Sequence, residues 1–158
     1  MTDGSAVLAP TDERGLAAAA HLLHDFNREY DDPSPPPAEL AARLTDLVAA
    51  GAVTVLLARS SGEPVGVAVL RLSPSVWSEA LEAYLAELYV VPDRRGQGHG
   101  RGLITEAVRV AAAAGADYAF LVTSEDDRLA QRLYEAAGFR RTEGEGGPLM
   151  LAYERDLP

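Results

Sequence analysis

Hydrophobic residues in the first third of the chain recur every three or four positions, which is the spacing of amphipathic helices. This pattern predicts a first helix over residues 11–30, with Thr11 as its N-cap. A second helix begins at Pro37 and ends at Gly51, because proline is tolerated in the first helical turn and glycine ends helices. A short strand over residues 5–9 precedes both helices.

Beyond Gly51 the apolar residues form short β-branched runs, which are typical of strands. Residues 60–63 form the turn of a hairpin, and a strand–helix–strand unit over 81–123 should have parallel strands with a right-handed crossover. Two more helices are predicted, over 100–114 and 127–137. The predicted strands after Gly51 are 53–58, 65–72, 81–91, a buried strand at 118–123, and two closing strands at 139–142 and 149–155.

Length and composition favour one globular domain covering residues 1–158. No apolar run approaches the 18 residues of a membrane span, so no membrane partner is expected. The N-terminal residues lack a basic and then apolar signal pattern, so we expect a cytoplasmic protein. The chain contains no cysteine, which excludes disulfides and a cysteine nucleophile. No metal site is expected either, because His21, His24 and Asp25 lie on adjacent turns of one helix and would rarely converge on an ion.

The formal net charge of -10 argues against a nucleic-acid binder, which needs a positive field to engage phosphates. It suits a cationic partner better. Arg94, Arg95 and Arg101 are a local exception to the acidic composition, and an anionic ligand bound beside them would account for it.

Residues 88–104 contain the most informative pattern: an apolar strand enters a turn rich in arginine and glycine, which opens into a helix. Glycines let backbone N–H groups approach a ligand, and a helix N-terminus adds donors and a positive dipole, so the segment predicts a phosphate cradle. A P-loop is excluded because the chain has no lysine. A dinucleotide fingerprint is excluded because its third glycine falls on Arg101 or Leu103.

The pattern Arg95-x-x-Gly98-x-Gly100 resembles the acetyl-CoA loop of the GNAT acetyltransferase superfamily. A second stretch, Ala130-x-x-x-Tyr134-Glu135-x-x-Gly138-Phe139, resembles the closing motif of that superfamily, and the order of predicted elements matches as well. The resemblance implies a mixed α/β (α+β) GNAT-like acyl-CoA N-acyltransferase fold. It has a central mixed sheet of six or seven strands and about four flanking helices.

The resemblance implies an N-acetyltransferase that moves the acetyl group of acetyl-CoA directly to a primary amine. Backbone donors around residues 97–101 would hold the pyrophosphate, and a bulge around Leu88–Val90 would expose backbone groups to the pantetheine arm and the thioester carbonyl. The side chain of His99 is expected to face solvent. The expected cofactor-binding residues are Leu88, Tyr89, Val90, Arg95, Gly96, Gln97, Gly98, His99, Gly100 and Arg101.

Two residues are candidates for proton transfer. By resemblance, Tyr134 would protonate the departing CoA thiolate. Glu87 lies in an apolar strand, where desolvation raises a carboxyl pKa toward that of a useful base; Glu82 and a water relay remain alternatives. Asp127 occupies a position where the superfamily often has a cofactor-contacting asparagine, and a helix cap is its other interpretation.

The acceptor is expected to be a cationic small molecule or a peptide amine, because residues 26–37 and 143–148, which border the acceptor pocket in the superfamily, are acidic here. Solvated loops in an acidic protein are the plainer interpretation of the same residues. A non-catalytic acyl-CoA-binding regulatory module is the alternative function. The oligomeric state is open, with a homodimer as one option.

Overall fold

The structure is a computed structural model in which residues 6–158 are described. The chain forms two compact units, one ending at Leu121 and the other comprising Val122–Pro158. The helices of the described residues are α1 (Glu13–Glu29), α2 (Pro37–Ala49), α3 (His99–Ala113) and α4 (Arg128–Ala136). Their strands are β1 (Ala6–Leu8), β2 (Thr54–Ser60), β3 (Glu63–Pro74), β4 (Leu81–Val90) and β5 (Ala116–Phe120).

The first unit is built on a sheet in the order β1-β2-β3-β4-β5. The first three pairings are antiparallel and β4 pairs with β5 in parallel, with α3 as the crossover. The prediction of a mixed sheet with a parallel strand–helix–strand unit is confirmed. Of the predicted first strand, Ser5 lies outside the described residues.

The sheet has an α1–α2 face and an α3 face. Valines of β2 and β3 pack with α1 and α2, in a cluster that also contains Tyr89. On the other face, Leu70 and Ala83 pack against Ala111 of α3. Each side chain of β4 shares the face of the β3 residue with which it pairs.

Helix α1 begins one residue later than predicted, and its N-cap is Asp12 rather than Thr11. The Asp12 backbone is extended, and its carboxylate accepts a hydrogen bond of 3.2 Å from the Gly15 N–H, three residues on. Because Glu13 is the first helical residue, Asp12 and not Thr11 is in the position from which a side chain reaches an unpaired N–H of the first turn. Helix α2 begins at Pro37 as predicted.

The β2–β3 hairpin is confirmed, with Ser61 and Gly62 at its tip. Both have positive φ, 49° and 84°, as the tight hairpin turns that suit twisted strands require.

The predicted buried strand at 118–123 is corrected in position and burial. Strand β5 begins at Ala116 and ends at Phe120, and the side chains of Tyr118 and Phe120 are 52% and 38% exposed. In the described sheet β5 pairs only with β4, and α3 packs on the face opposite these two rings.

In the second unit, α4 matches the predicted helix and is followed by Gly138 at φ +91°. The closing strands at 139–142 and 149–155 are not formed; a single bridge joins Thr142 to Leu149. Gly144 and Gly146, both with positive φ, interrupt the extended backbone between them. The described sheet therefore has five strands, not six or seven.

Among residues 6–158, no helix has both the length and the apolar character needed to cross a membrane.

Candidate active site

Strand β4 contains a bulge at Ala86. Glu87 pairs with Val69 of β3, whereas Leu85 pairs with the next residue, Leu70, so Ala86 has no partner. The bulge was predicted around Leu88–Val90 and lies just before that segment. An extra residue reverses the alternation of side chains along a strand. Before Ala86 the even-numbered side chains of β4 face α1 and α2, and after it the odd-numbered ones do.

Beyond the bulge, one edge of β4 lies past the end of its neighbour. Strand β5 pairs with β4 only over residues 81–84. The Val91 N–H donates to Val65 O of β3 at 3.0 Å, so by strand alternation the backbone groups of Leu88 and Val90 point away from β3, toward the edge that β5 does not reach. Tyr89 pairs with Val67, and its ring lies in the α1–α2 core.

The turn after β4 exposes backbone rather than side chains. Gly96 and Gly98 have φ of +75° and +91°, and a Cβ built on either would meet no atom within 4 Å. This open space is where a ligand could approach the main chain, and a side chain at either position would fill it.

Helix α3 begins at this turn with Gly98 as its N-cap and no side-chain cap. Its first helical bond runs from Gly102 N–H to Gly98 O, 2.9 Å. The N–H groups of Gly100 and Arg101 precede that bond, so they have no acceptor within the helix and are placed to donate to an anion.

His99, predicted to face solvent, is buried with 5% exposure. It is the first residue of α3, and Leu103, one turn later, is fully buried on the same helix face. Helical spacing was therefore the signal that could have placed its side chain inside.

The Arg95 side chain connects the turn to α1. Its Nη2 donates to Glu29 Oε2 at 2.6 Å, its Nε donates to Val90 O at 2.8 Å, and its guanidinium lies 5.6 Å from the centroid of the Tyr89 ring. The hydrogen bond to Glu29 raises the pKa of Arg95. Burial, and next the negative charge of Glu29, raise the pKa of Tyr89. Sequence reasoning missed these contacts, because residues 29 and 95 are far apart along the chain.

Glu87 is half-buried on the α1–α2 face, since it pairs with Val69 of that core. Burial raises the pKa of its carboxyl group, and the charge of Arg71 acts in the opposite direction. The prediction that this carboxylate is desolvated is thus supported by its surroundings. Glu82 lies near the start of β4, opposite Tyr118.

Tyr134 lies on α4 of the second unit, half-buried, with its ring centroid 6.3 Å from that of Phe139. Asp127 is the N-cap of the same helix and accepts from the Ala130 N–H at 3.0 Å. The capping interpretation of Asp127 is therefore confirmed.

The connection from α1 to α2 is held by polar contacts. Nδ1 of His24 lies 3.1 Å from Ser34 Oγ and 3.0 Å from Pro35 O, and the Asn27 amide donates to Pro33 O at 3.1 Å. In the part of the chain that is described, no group of three acidic, histidine or cysteine side chains is arranged to hold a metal ion.

The family model of the "Acetyltransferase (GNAT) family" matches residues 17–139, which include the open edge of β4, the glycine turn and all of α4. The chain belongs to the GNAT family. It is an acetyl-CoA-dependent acyltransferase, and GNAT enzymes use acetyl-CoA as co-substrate. The turn suits such a ligand, because open space at Gly96 and Gly98 adjoins the N–H donors of α3.

Relatives agree with this assignment. The chain is 30% identical over 136 residues to an uncharacterised N-acetyltransferase of Bacillus subtilis (strain 168), YhfO, covering 85% of this chain and 87% of that one. It is 39% identical to a crystal structure from Arthrobacter sp. FB24, provisionally assigned as an acetyltransferase, with 96% of each chain covered and a TM-score of 0.86. An aminoglycoside acetyltransferase from a soil metagenome, solved with sisomicin, shares the fold at 19% identity, with 98% and 95% covered and a TM-score of 0.75.

Proposed function

We propose that this GNAT enzyme transfers the acetyl group of acetyl-CoA to a primary amine of a cationic small molecule or peptide. The observation that carries the proposal is the junction of two features at the end of β4: the edge at Leu88 and Val90 that β5 does not reach, and the glycine turn leading into α3. The first can pair with an amide-containing arm, and the second can hold its phosphates.

In this proposal the co-substrate is held mainly by main chain. N–H groups of residues 97–101 bind the pyrophosphate, and the edge groups of Leu88 and the N–H of Val90 pair with the pantetheine arm, while Val90 O accepts from Arg95. One edge N–H also stabilises the oxyanion that develops on the thioester carbonyl, a contribution of roughly 3–4 kcal/mol per donor in other enzymes. Arg95 acts through its contacts with Val90 O and Glu29, which fix the entry to the turn.

The chemistry is a direct attack in a ternary complex. An alkylammonium has a pKa of about 10.4, so it must lose a proton before its nitrogen can attack. Glu87 takes that proton, and the neutral nitrogen attacks the thioester carbonyl. The C–N bond forms, the nitrogen releases its second proton to water, the C–S bond breaks, and the CoA thiolate leaves and is protonated. We assign that last proton to Tyr134 because of the motif on α4, and Glu82 or a water relay remain alternatives for the base.

A cationic acceptor is favoured by acidic side chains near the end of α1. Asp25, Asp31 and Asp32 take part in no ion pair that the described residues form with one another, whereas Glu29 is neutralised by Arg95. These carboxylates are exposed, so they would act by attracting a cation rather than by a fixed contact.

A screen of polyamines, aminoglycosides and peptide amines for CoA thiol release tests the proposal. We expect turnover with cationic primary amines and little with anionic ones. Acetyl-CoA binding without turnover on any amine would instead favour the regulatory module, and preference for an anionic acceptor would refute the cationic one.

Tyr134→Phe tests the assigned acid. We expect kcat to fall tenfold or more with little change in the acetyl-CoA dissociation constant, because only the departing thiolate needs the phenol proton. Phe139→Leu is a control, since it alters the ring neighbour and keeps the hydroxyl. Unchanged kcat in Tyr134→Phe would show that the residue is structural.

A further inference from the structure

An aromatic surface lies on β4 and β5 next to Glu87. Tyr84 stacks on Phe120 with ring centroids 4.8 Å apart and planes at 11°, and Tyr118 lies 6.0 Å from Phe120 at 27°. These three residues are here called the aromatic wall. Tyr118 and Phe120 are substantially exposed, which is unusual for adjoining rings on a sheet.

The bulge at Ala86 places the wall and Glu87 on the same face of the sheet. Ala83 packs in the α3-side cluster, and Leu85 pairs with Leu70 of that cluster, so Tyr84 between them faces the α1–α2 side. Phe120, directly opposite Tyr84 on β5, faces the same side. Glu87 pairs with Val69 of the α1–α2 core and therefore faces the same side. Without the extra residue, Tyr84 and Glu87 would face opposite sides of the sheet.

Three charged residues of β3 and β4 lie beside the wall on this face: Glu87, Glu82 and Arg71. Glu82 is directly opposite Tyr118, and Arg71 is directly opposite Tyr84, diagonal to Glu87 across the strand pair. Arg71 forms no ion pair within the described residues, and the three charges sum to minus one. The face thus complements a ligand with one positive charge and an apolar body.

We propose that the aromatic wall is the acceptor subsite, and that the acceptor is a primary amine carrying an aromatic ring and no carboxylate. This inference rests on the proposed acetyl transfer. The ring stacks on Phe120 and Tyr118, while the ammonium lies at Glu87, which takes its proton before attack on the thioester. The adjacent edge of β4 at Leu88 brings the acetyl carbonyl to the same end of the wall.

The test compares kcat/KM for 2-phenylethylamine and n-butylamine, two primary amines that differ in the ring. Wild type should prefer 2-phenylethylamine by about tenfold or more, because a stacked ring adds contact area and ring–ring attraction. Phe120→Ala should abolish that preference, because it lowers kcat/KM for 2-phenylethylamine about tenfold more than it lowers kcat/KM for n-butylamine. Phe120→Tyr, which keeps the ring, should restore it.

The controls separate the possible failures. Tyr153→Ala removes an aromatic side chain that is 91% exposed and does not belong to the wall. This variant should leave kcat/KM unchanged for both amines. The subsite is overturned, and the transferase function stands, if n-butylamine is acetylated but wild type shows no preference for 2-phenylethylamine. The same conclusion follows if Phe120→Ala retains the preference for 2-phenylethylamine. If no amine at all is acetylated, the proposed function itself fails.

Two further results would overturn the proposal. A higher kcat/KM for L-phenylalanine than for 2-phenylethylamine would mean that Arg71 recruits a carboxylate, and the acceptor is then not a simple monocation. A concentration-dependent dimer in sedimentation that Phe120→Ala dissociates would mean that a second copy of the chain covers the wall.

Discussion

At the scale of single residues, Glu87 is a carboxylate whose surroundings differ from those in solution. It is partly desolvated in a strand packed against α1, and the charge of Arg71 only partly offsets the rise in its pKa. A carboxylate whose pKa is raised above its ordinary value holds an abstracted proton more firmly, which suits the role of general base proposed for Glu87.

Glu87→Gln should lower kcat/KM about 100-fold or more and leave the acetyl-CoA dissociation constant nearly unchanged, since the amide cannot accept the proton. Glu82→Gln is the matched control on the same strand and should stay close to wild type. The wild-type rate should rise with pH through the raised pKa of Glu87. An equal loss of kcat/KM in both variants would show that Glu87 is not the general base.

The same substitution has a consequence for stability. Because the pKa of Glu87 is raised in the folded protein, the folded state binds its proton more tightly than the unfolded state does. The stabilising contribution is present below the unfolded pKa and is lost as the pH rises through the folded pKa. Glu87→Gln should therefore have a higher thermal midpoint than wild type at pH 8, with a smaller difference at pH 4; the reverse order would contradict the burial.

At the scale of elements, helix starts depend on single residues. Asp12→Ala should lower the free energy of unfolding by about 1 kcal/mol, because it removes the acceptor for the Gly15 N–H at the start of α1. Thr11→Ala should cost much less. Urea denaturation of both variants distinguishes the two candidate N-caps. A larger loss of unfolding free energy in Thr11→Ala would contradict Asp12 as the N-cap.

The elements that local patterns specify were predicted closely. Helix α2 begins at Pro37, the hairpin turns at Ser61 and Gly62, and the glycine turn leads into α3, all as expected from proline, glycine and apolar spacing. The position of the bulge was not predictable in this way, because Ala86 is unpaired only through the register of β3 against β4. The same holds for the contact of Arg95 with Glu29, which depends on how α1 packs.

The two closing strands, in contrast, were predicted from the sequence but are not formed. Residues 149–155 have strand-like composition, but strand formation also requires a paired neighbour, and only Thr142 and Leu149 form a bridge. The exposed rings of β5 were predicted to be buried for a related reason: an apolar run indicates burial only when both faces of the strand are covered.

At the scale of the whole molecule, the acidic charge sets the long-range field. A net charge of -10 should attract a cationic acceptor and repel acetyl-CoA everywhere except near the arginines of the turn. Raising ionic strength from about 0.01 M to about 0.5 M should therefore raise KM for a cationic amine, because screening weakens steering. A KM that is independent of salt, measured for the best amine of the screen, would show that the charge has no part in acceptor binding.

The proposed function depends on the glycine turn between β4 and α3 holding acetyl-CoA through its main chain. Calorimetric titration with acetyl-CoA tests it most directly, using wild type, Gly98→Glu and Gly62→Glu. Gly98 and Gly62 both have positive φ with open space beyond Cα, so either substitution strains the backbone similarly, but only the first places a carboxylate at the proposed phosphate site.

Wild type and Gly62→Glu should bind one equivalent of acetyl-CoA with similar affinity, and Gly98→Glu should show no measurable binding while remaining folded by circular dichroism. Equal affinity in all three proteins, or no binding by folded wild type, would contradict the account.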